Sequence, residues 1–399
     1  MPEGVVPKRK PEIRSLYFIT HIENIPSILQ HGILSHKSVE DRAIAYRPIY
    51  DASIVANRKA KTAPNGRSLW EFANLYFQAR NPMLYRVVYE KSPKDLAVLG
   101  VQARVLESPG SFIATGNAAS DATAILPPKE GLLSIAEIWN TIRSEWWNSM
   151  DGSKRKIMAE CLVPNSVPPD LIDTIYVASH EVAKRIKQLR LPPNIAIVPE
   201  PNMFFRPARQ IKISKNLTLI EGDMFFSTMQ TLTVSVNVVG VMGKGLASRA
   251  KYQFPDVYVV YQDACRKKQL EMGKPHLYKR ESFVDGELAD EPESLPKPNA
   301  KKWFLLFATK RHWRDESDLG AIEAGLGWVR DNHKNEGIQS LAMPALGCGL
   351  GKLEWRNVGP VMCHELTSLD IKVVIYLPRE RQIEEQLLTP AYLLRRQSG

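Results

Sequence analysis

Val236-Asn237-Val238-Val239-Gly240-Val241-Met242-Gly243-Lys244-Gly245-Leu246-Ala247 runs from β-favouring residues through three glycines into a helix-compatible segment. The order is strand, glycine-rich turn, helix N-terminus. Glycines there let a backbone approach a ligand closely, and the unpaired N–H groups that open a helix favour an anion. A second stretch repeats the arrangement: Gln339 to Leu346, then Gly347, Cys348, Gly349, Leu350 and Gly351, then a helix from about Glu354. Two such turns in one α/β unit can grip the two sides of a diphosphate. Neither is a P-loop, since no GxxxxGK[ST] is present, and either is equally a tight strand-to-helix turn without a ligand.

Outward from this stretch, strands are expected over 217–221, 231–238, 303–308, 338–343 and 371–377, and helices over 244–253, 256–268, 319–333 and 355–367. That alternation predicts a mostly parallel sheet covered by helices. Residues 283–300, acidic and proline-rich, break the rhythm and read as a flexible insertion. Upstream the rhythm differs. Strands are expected at Leu16–Thr20, Met83–Tyr89, once or twice within Asp95–Leu106, at Ile157–Val163 up to Pro164, and at Leu171–Ala178. A helix capped by Asn24 starts at Ile25 and stops at Gly32, and others are expected over Ser134–Met150 and His180–Leu189. Residues 36–70 form a long polar loop carrying Arg58, Lys59, Lys61 and Arg67, a length often tied to function. This half is α+β.

At 399 residues the chain suggests two domains. Prolines at 192, 193, 199, 201 and 207 mark the change. The division expected is a basic tail over 1–12, a first domain over 13–205, a linker over 206–214, a second domain over 215–385 and a tail over 386–399. No apolar run reaches the roughly 18 residues of a membrane span, and no h-region follows the basic N-terminus. The four cysteines, Cys161, Cys265, Cys348 and Cys363, lack CxxC spacing and fit reduced thiols of a cytoplasm, with no metal site expected. A formal charge of +10 points to a polyanionic partner or to a basic surface without a role.

Several motifs together carry a resemblance. Glu221-Gly222-Asp223, Asn237 with Gly240 to Gly245, Thr309-Lys310-Arg311-His312-Trp313 and Pro344 to Gly349 resemble the macrodomains, the ADP-ribose-binding family, and within them the DarG antitoxins, over about residues 215–380. Ile19-Thr20-His21 to Asn24, Asn81 to Tyr85 and Ala159-Glu160-Cys161 resemble DarT, a DNA ADP-ribosyltransferase, over about 14–205. The resemblance implies an α+β transferase fold followed by an α/β/α macrodomain, a toxin and its eraser on one chain, with NAD as substrate, ADP-ribose as ligand and single-stranded DNA, modified at thymine, as partner.

The resemblance also assigns residues. Transfer breaks the nicotinamide–ribose bond through an oxocarbenium-like state, which a carboxylate stabilises. The family's catalytic glutamate falls on Glu160, otherwise an outward-facing strand residue. Its NAD-site arginine falls on Arg58, with Arg67 the alternative, and Thr20, His21 and Asn24 form the NAD corner. Trp70, Phe72, Tyr76 and Phe77 are either base-stacking residues or core. In the second half Asp223 would bind adenine and Asn237 would face the proximal ribose. Backbone amides of Gly240, Val241, Met242, Gly243, Lys244, Gly245 and of Gly347, Cys348, Gly349, Leu350, Gly351 would hold the diphosphate and distal ribose. Lys310, at a strand's carboxyl end, would remove ADP-ribose from the base as nucleophile or base.

Two departures stand out. Phe18 replaces the histidine of a Tyr-His-x-Thr strand, with His21 a possible substitute, and Asn117 stands where some relatives have histidine. They keep two other readings open: an inactive transferase fold beside a macrodomain that only reads ADP-ribose, and an NAD glycohydrolase. With only residues 378–399 beyond the last strand, no separate toxin-blocking domain is expected, so restraint would rest on erasure, helped by docking of the two halves.

Overall fold

A computed structural model of the chain describes residues 11–50, 57–189, 191–290, 301–379 and 381–395; the basic tail expected over 1–12 lies outside these except for its last two positions. Two compact units emerge, Met1–Phe205 with Asp285–Pro296, and Arg206–Val284 with Lys297–Gly399.

The first unit is built on ten strands: β1 (Ser15–His21), β2 (Ile33–Leu34), β3 (Phe72–Tyr76), β4 (Leu96–Gln102), β5 (Phe112–Ala114), β6 (Ile125–Leu126), β7 (Glu160–Pro164), β8 (Ser166–Val167), β9 (Ile172–Val177) and β10 (Ala196–Pro199). Eight form one sheet in the order β10-β9-β4-β1-β3-β7-β5-β6, and β2 pairs with β8. All of these pairings are antiparallel except β9 with β10. β4 is central because Leu96, Ala97, Val98, Leu99 and Val101 leave neither face exposed. β1 matches β4 along its whole length but meets β3 at one register position, Tyr17 opposite Tyr76. The sheet is therefore weakly joined at its middle. Helices α1 (Ile25–His31) and α2 (His36–Asp41) follow β1, and α3 (Pro82–Glu90), α4 (Pro128–Glu137) and α5 (His180–Lys187) come later.

Two expectations fail here. Met83–Tyr89 is helical, not a strand. Asn81 accepts the Leu84 N–H at 3.0 Å as an N-cap and Pro82 occupies the first turn, and these local signals outweigh the apolar run. The helix expected over Ser134–Met150 begins earlier, at Pro128, and gives way to a short turn at Trp139–Ile142. Trp147 is thereby free to turn inward, where it is 1% exposed.

The second unit has a seven-stranded sheet in the order β11-β12-β17-β16-β13-β15-β14. Its strands are β11 (Arg209–Lys212), β12 (Leu217–Glu221), β13 (Thr231–Asn237), β14 (His276–Tyr278), β15 (Trp303–Lys310), β16 (Ser340–Pro344) and β17 (Lys372–Tyr376). The interior strands are parallel and only the two edges antiparallel. Helices α6 (Gly245–Gln253), α7 (Pro255–Arg266), α8 (Leu319–Glu336) and α9 (Trp355–Thr367) cover it. Leu305, Phe307, Leu341, Met343 and Ile375 pack with Ile322, Leu326 and Val358 in one core.

Three segments expected to be loose carry structure in their described residues; positions 291–300 of the insertion and 396–399 of the tail lie outside the described residues. Residues 206–214 are not a linker: β11 pairs with β12 and Ile213 enters the core. The tail after 385 makes a short turn at Glu385–Leu388 and another at Pro390–Leu393, burying Leu388 and Leu393. The insertion is helical over Val284–Leu288, and residues 285–290 belong to the first unit. There the Leu288 carbonyl accepts the Trp147 indole N–H at 3.0 Å. Asp290 lies 2.6 Å from the guanidinium of Arg86, which also pairs with Glu90 at 2.9 Å and is 1% exposed. Asp290→Ala should destabilise the first unit by about 2–3 kcal/mol, because the buried guanidinium keeps Glu90 but loses its other carboxylate. Chemical denaturation of the full chain measures this.

Candidate functional sites

In the first unit the chemistry gathers on Glu160. The strand carrying it starts at Glu160 itself, not three residues earlier as expected, because Ser153–Lys156 close a helical turn. The carboxylate is 0% exposed. Arg58 Nη1 and Nη2 donate to its two oxygens at 3.2 and 3.1 Å, and the Ala118 backbone N–H donates at 2.9 Å. Burial alone would lower the Arg58 pKa, but the facing carboxylate holds it above its ordinary value. Asn117 shapes the turn that presents Ala118, since its side-chain oxygen accepts the Ala119 N–H at 3.0 Å. Arg67 is engaged elsewhere, with Glu71 at 2.9 Å and Asn165 at 2.7 Å. Arg58 is thus the arginine at this carboxylate.

A cleft of about 120 Å³ lies beside the pair, lined by Phe18, Thr20, Asn24, Arg47, Asn74 and Tyr76 among others. Glu160 and Arg58 are not in that lining; Tyr76, which is, stands opposite Glu160 in the β3–β7 register. Asn24 does not cap α1 with its side chain. Instead it donates to Thr20 Oγ1 at 3.2 Å and to the Arg47 carbonyl at 2.8 Å, and accepts the Arg47 N–H at 2.7 Å, pinning a remote loop over the cleft. His21 caps the following turn, its Nδ1 accepting the Glu23 N–H at 3.1 Å, and it is not among the residues that line the cleft. Phe72, Tyr76 and Phe77 are buried. Trp70 stacks on His36 at 4.3 Å, with the Tyr50 hydroxyl 2.9 Å from His36 Nδ1. Burial, aided by the Arg58 charge, pushes the His36 pKa down to about 4. His36 and Tyr50 escaped the sequence reading because an irregular loop has no period to mark inward positions.

In the second unit Asn237 and Lys310 end neighbouring parallel strands and are register partners. The Asn237 side chain serves the glycine-rich loop: it donates to the Val241 carbonyl at 2.7 Å and accepts the Val239 N–H at 3.0 Å. Tyr261, not foreseen, donates to Asn237 Oδ1 at 2.8 Å and is fully buried. Gly240 and Gly347 have φ of +80° and +72°, and a Cβ on Gly347 would come within 2.7 Å of Leu353, so both turns demand glycine. At Gly243 and Gly349 a Cβ would meet open space. Met242 and Cys348 point inward and are 2% exposed, and burial pushes the Cys348 thiol up to about 12. These two residues can offer a ligand only their backbone. Asp223 is ion-paired with Arg249 at 2.9 Å, and that guanidinium sits 4.7 Å over the Phe225 ring.

Lys310 donates to the carbonyls of Asp315 at 2.9 Å and Leu350 at 3.3 Å. Its pKa is lowered, first by partial burial and then by the Lys352 charge, against an opposing pull from Asp315. Among the described residues, no group of three or more His, Cys, Asp or Glu side chains is placed to hold a metal ion, and no helix is long and apolar enough to cross a membrane.

An antiparallel sheet with a buried Glu–Arg pair, followed by a glycine-looped mixed sheet with a strand-end lysine, defines an ADP-ribosyltransferase joined to a macrodomain. Residues 17–205 match the family model described as ssDNA thymidine ADP-ribosyltransferase, DarT. The chain is 57% identical, over 96% of its length and 99% of the relative's, to the DNA ADP-ribosyl transferase–DNA ADP-ribosyl glycohydrolase fusion protein of Thermosipho africanus. The solved structure of Thermosipho africanus DarTG in complex with ADP-ribose superposes with a TM-score of 0.90 at 56% identity, covering 96% of this chain and 100% of that one. The Mycobacterium tuberculosis DNA ADP-ribosyl glycohydrolase is 34% identical over 41% of this chain and 42% of its own length. The chain belongs to the DarT–DarG fusion family, in which a DNA ADP-ribosyltransferase toxin and its glycohydrolase antitoxin share one polypeptide.

Tyr261→Phe removes the donor that fixes Asn237. Calorimetry with ADP-ribose should show affinity about tenfold weaker, the worth of one buried hydrogen bond, while the fold is retained.

Proposed function

We propose that the first unit transfers ADP-ribose from NAD to thymine in single-stranded DNA with Glu160 and Arg58 as its catalytic pair, and that the second unit cuts the product with Lys310. The observation that carries the first half is the water-free Glu160 carboxylate, paired with Arg58 behind the cleft-lining Tyr76. As the nicotinamide–ribose bond lengthens, positive charge develops on the ribose, and a carboxylate in a low-dielectric pocket stabilises it far more than water would. Arg58 orients that carboxylate through two parallel hydrogen bonds. Thr20 and Asn24, bonded to each other, offer polar groups to the dinucleotide. Neither unit's chemistry calls for a metal in this scheme.

In the second unit the amides of 240–245 and 347–351 hold the diphosphate and distal ribose, and Asp223 accepts from the adenine amine. Unprotonated Lys310 attacks the anomeric carbon, the bond to the base nitrogen breaks, and water releases the sugar. Its lowered pKa favours the reactive form.

Glu160→Ala in a chain whose eraser is disabled should abolish the mass increase of one ADP-ribose on a thymine-containing oligonucleotide; unchanged labelling refutes the role. Lys310→Ala should abolish removal from a modified oligonucleotide while ADP-ribose still binds.

The rate of removal should rise with pH as Lys310 loses its proton, with an inflection below the ordinary lysine value. In Lys352→Ala, where a like charge is gone, protonated Lys310 is less disfavoured and the inflection should move up. A pH–rate profile of both chains reads the shift.

A further inference from the structure

The glycine loops account for one end of what the second unit must hold. Its substrate continues past the anomeric carbon into a nucleobase on a DNA strand, so something beyond Lys310 has to receive that base. Two loops meet at the Lys310 amine, through the carbonyls of Asp315 and Leu350. The first is a closed turn. The Asp315 N–H donates to the His312 carbonyl at 3.1 Å, the His312 N–H to Asp315 Oδ2 at 2.9 Å, and the Arg314 N–H to His312 Nδ1 at 3.3 Å.

This turn holds Trp313 outward, 49% exposed. The Arg314 guanidinium lies 4.5 Å over its ring, and the His312 ring centre is 5.1 Å away. Val239, Val241 and Leu350, on the two glycine loops, are also among the large apolar residues left exposed. A half-exposed indole held in place by a closed turn is a preformed stacking surface, apolar on its face and ordered before a ligand arrives. The turn carries charges of both signs: Arg311 and Arg314 are exposed beside Asp315 and Glu316, and Glu316 is paired with Lys352 at 3.1 Å, so the two guanidinium groups are what the turn can offer a phosphate backbone. Every base has a π-face, and stacking on tryptophan needs no sequence match.

We propose that Trp313 is the stacking platform for the nucleobase joined to ADP-ribose, and so the residue by which the eraser prefers the DNA-linked sugar over the free one. This rests on Lys310 marking the scissile bond. Arg314 braces the indole and offers its charge to the adjoining phosphate.

The test uses the full-length chain with NAD omitted, so that the transferase is idle, and an ADP-ribosylated single-stranded oligonucleotide as substrate. Trp313→Ala should raise KM for the oligonucleotide by about 5- to 150-fold, the range of one lost stacking contact, with kcat largely kept. Free ADP-ribose, titrated by calorimetry, should bind Trp313→Ala as it binds the unchanged chain, and Trp313→Phe should recover most of the KM. An unchanged KM overturns the proposal, and so does an equal loss of affinity for free ADP-ribose, which would make Trp313 a brace for the loops. Failure of the Lys310 assignment reads out differently, as turnover surviving in Lys310→Ala.

Discussion

A carboxylate removed from water organises the first unit. A carboxylate buried as Glu160 is needs both a counter-charge and hydrogen bonds. Arg58, within helical residues 57–60, provides the first from 102 residues away in sequence, and Ala118 provides a backbone donor from a turn. The long polar loop is thereby drawn inward, where His36 stacks on Trp70 and Tyr50 reaches His36. Such an ion pair contributes little to stability on balance. Under the proposed transferase role, the pair is a carboxylate oriented before substrate arrives.

The second unit solves a different problem. A diphosphate can be held by backbone amides alone, so its loops need shape more than side-chain chemistry. Shape comes from glycines with positive φ at 240, 245 and 347, from the Asn237 amide folded back on its own loop, and from the Tyr261 hydroxyl that fixes Asn237. Side chains with reactive character are few. Lys310 stands beside this loop with its pKa lowered by partial burial, and two carbonyls tether its amine at the junction of both loops.

The two units are also less separable in sequence than in space. Residues 285–290 are reached by the chain only after it has begun the macrodomain sheet, yet they complete the surroundings of Arg86 and Trp147 in the first unit. Composition suggested a solvated insertion there, because Asp and Glu are common in disordered segments. What composition cannot carry is that a buried arginine elsewhere requires one of those carboxylates.

By itself the sequence determined what depends on neighbours along the chain. The strand–glycine–helix order at 236–247 and 339–355, and the strand ends that carry Asn237 and Lys310, follow from periodicity and turn chemistry within a dozen residues. Local signals also misled where two competed. The apolar run at Met83–Tyr89 concealed a helix that Asn81 and Pro82 nucleate, and the segments before β12 and after β17 looked like a linker and a tail although Ile213, Leu388 and Leu393 fill the core. Only the tertiary structure decided which arginine faces Glu160, that Asn24 clamps Arg47, and that Tyr261 and Arg249 stand behind Asn237 and Asp223. Those pairings join residues that are near in space and distant in sequence, chosen by the need to satisfy charge and hydrogen bonds away from water, and no pattern along a single chain records such a choice.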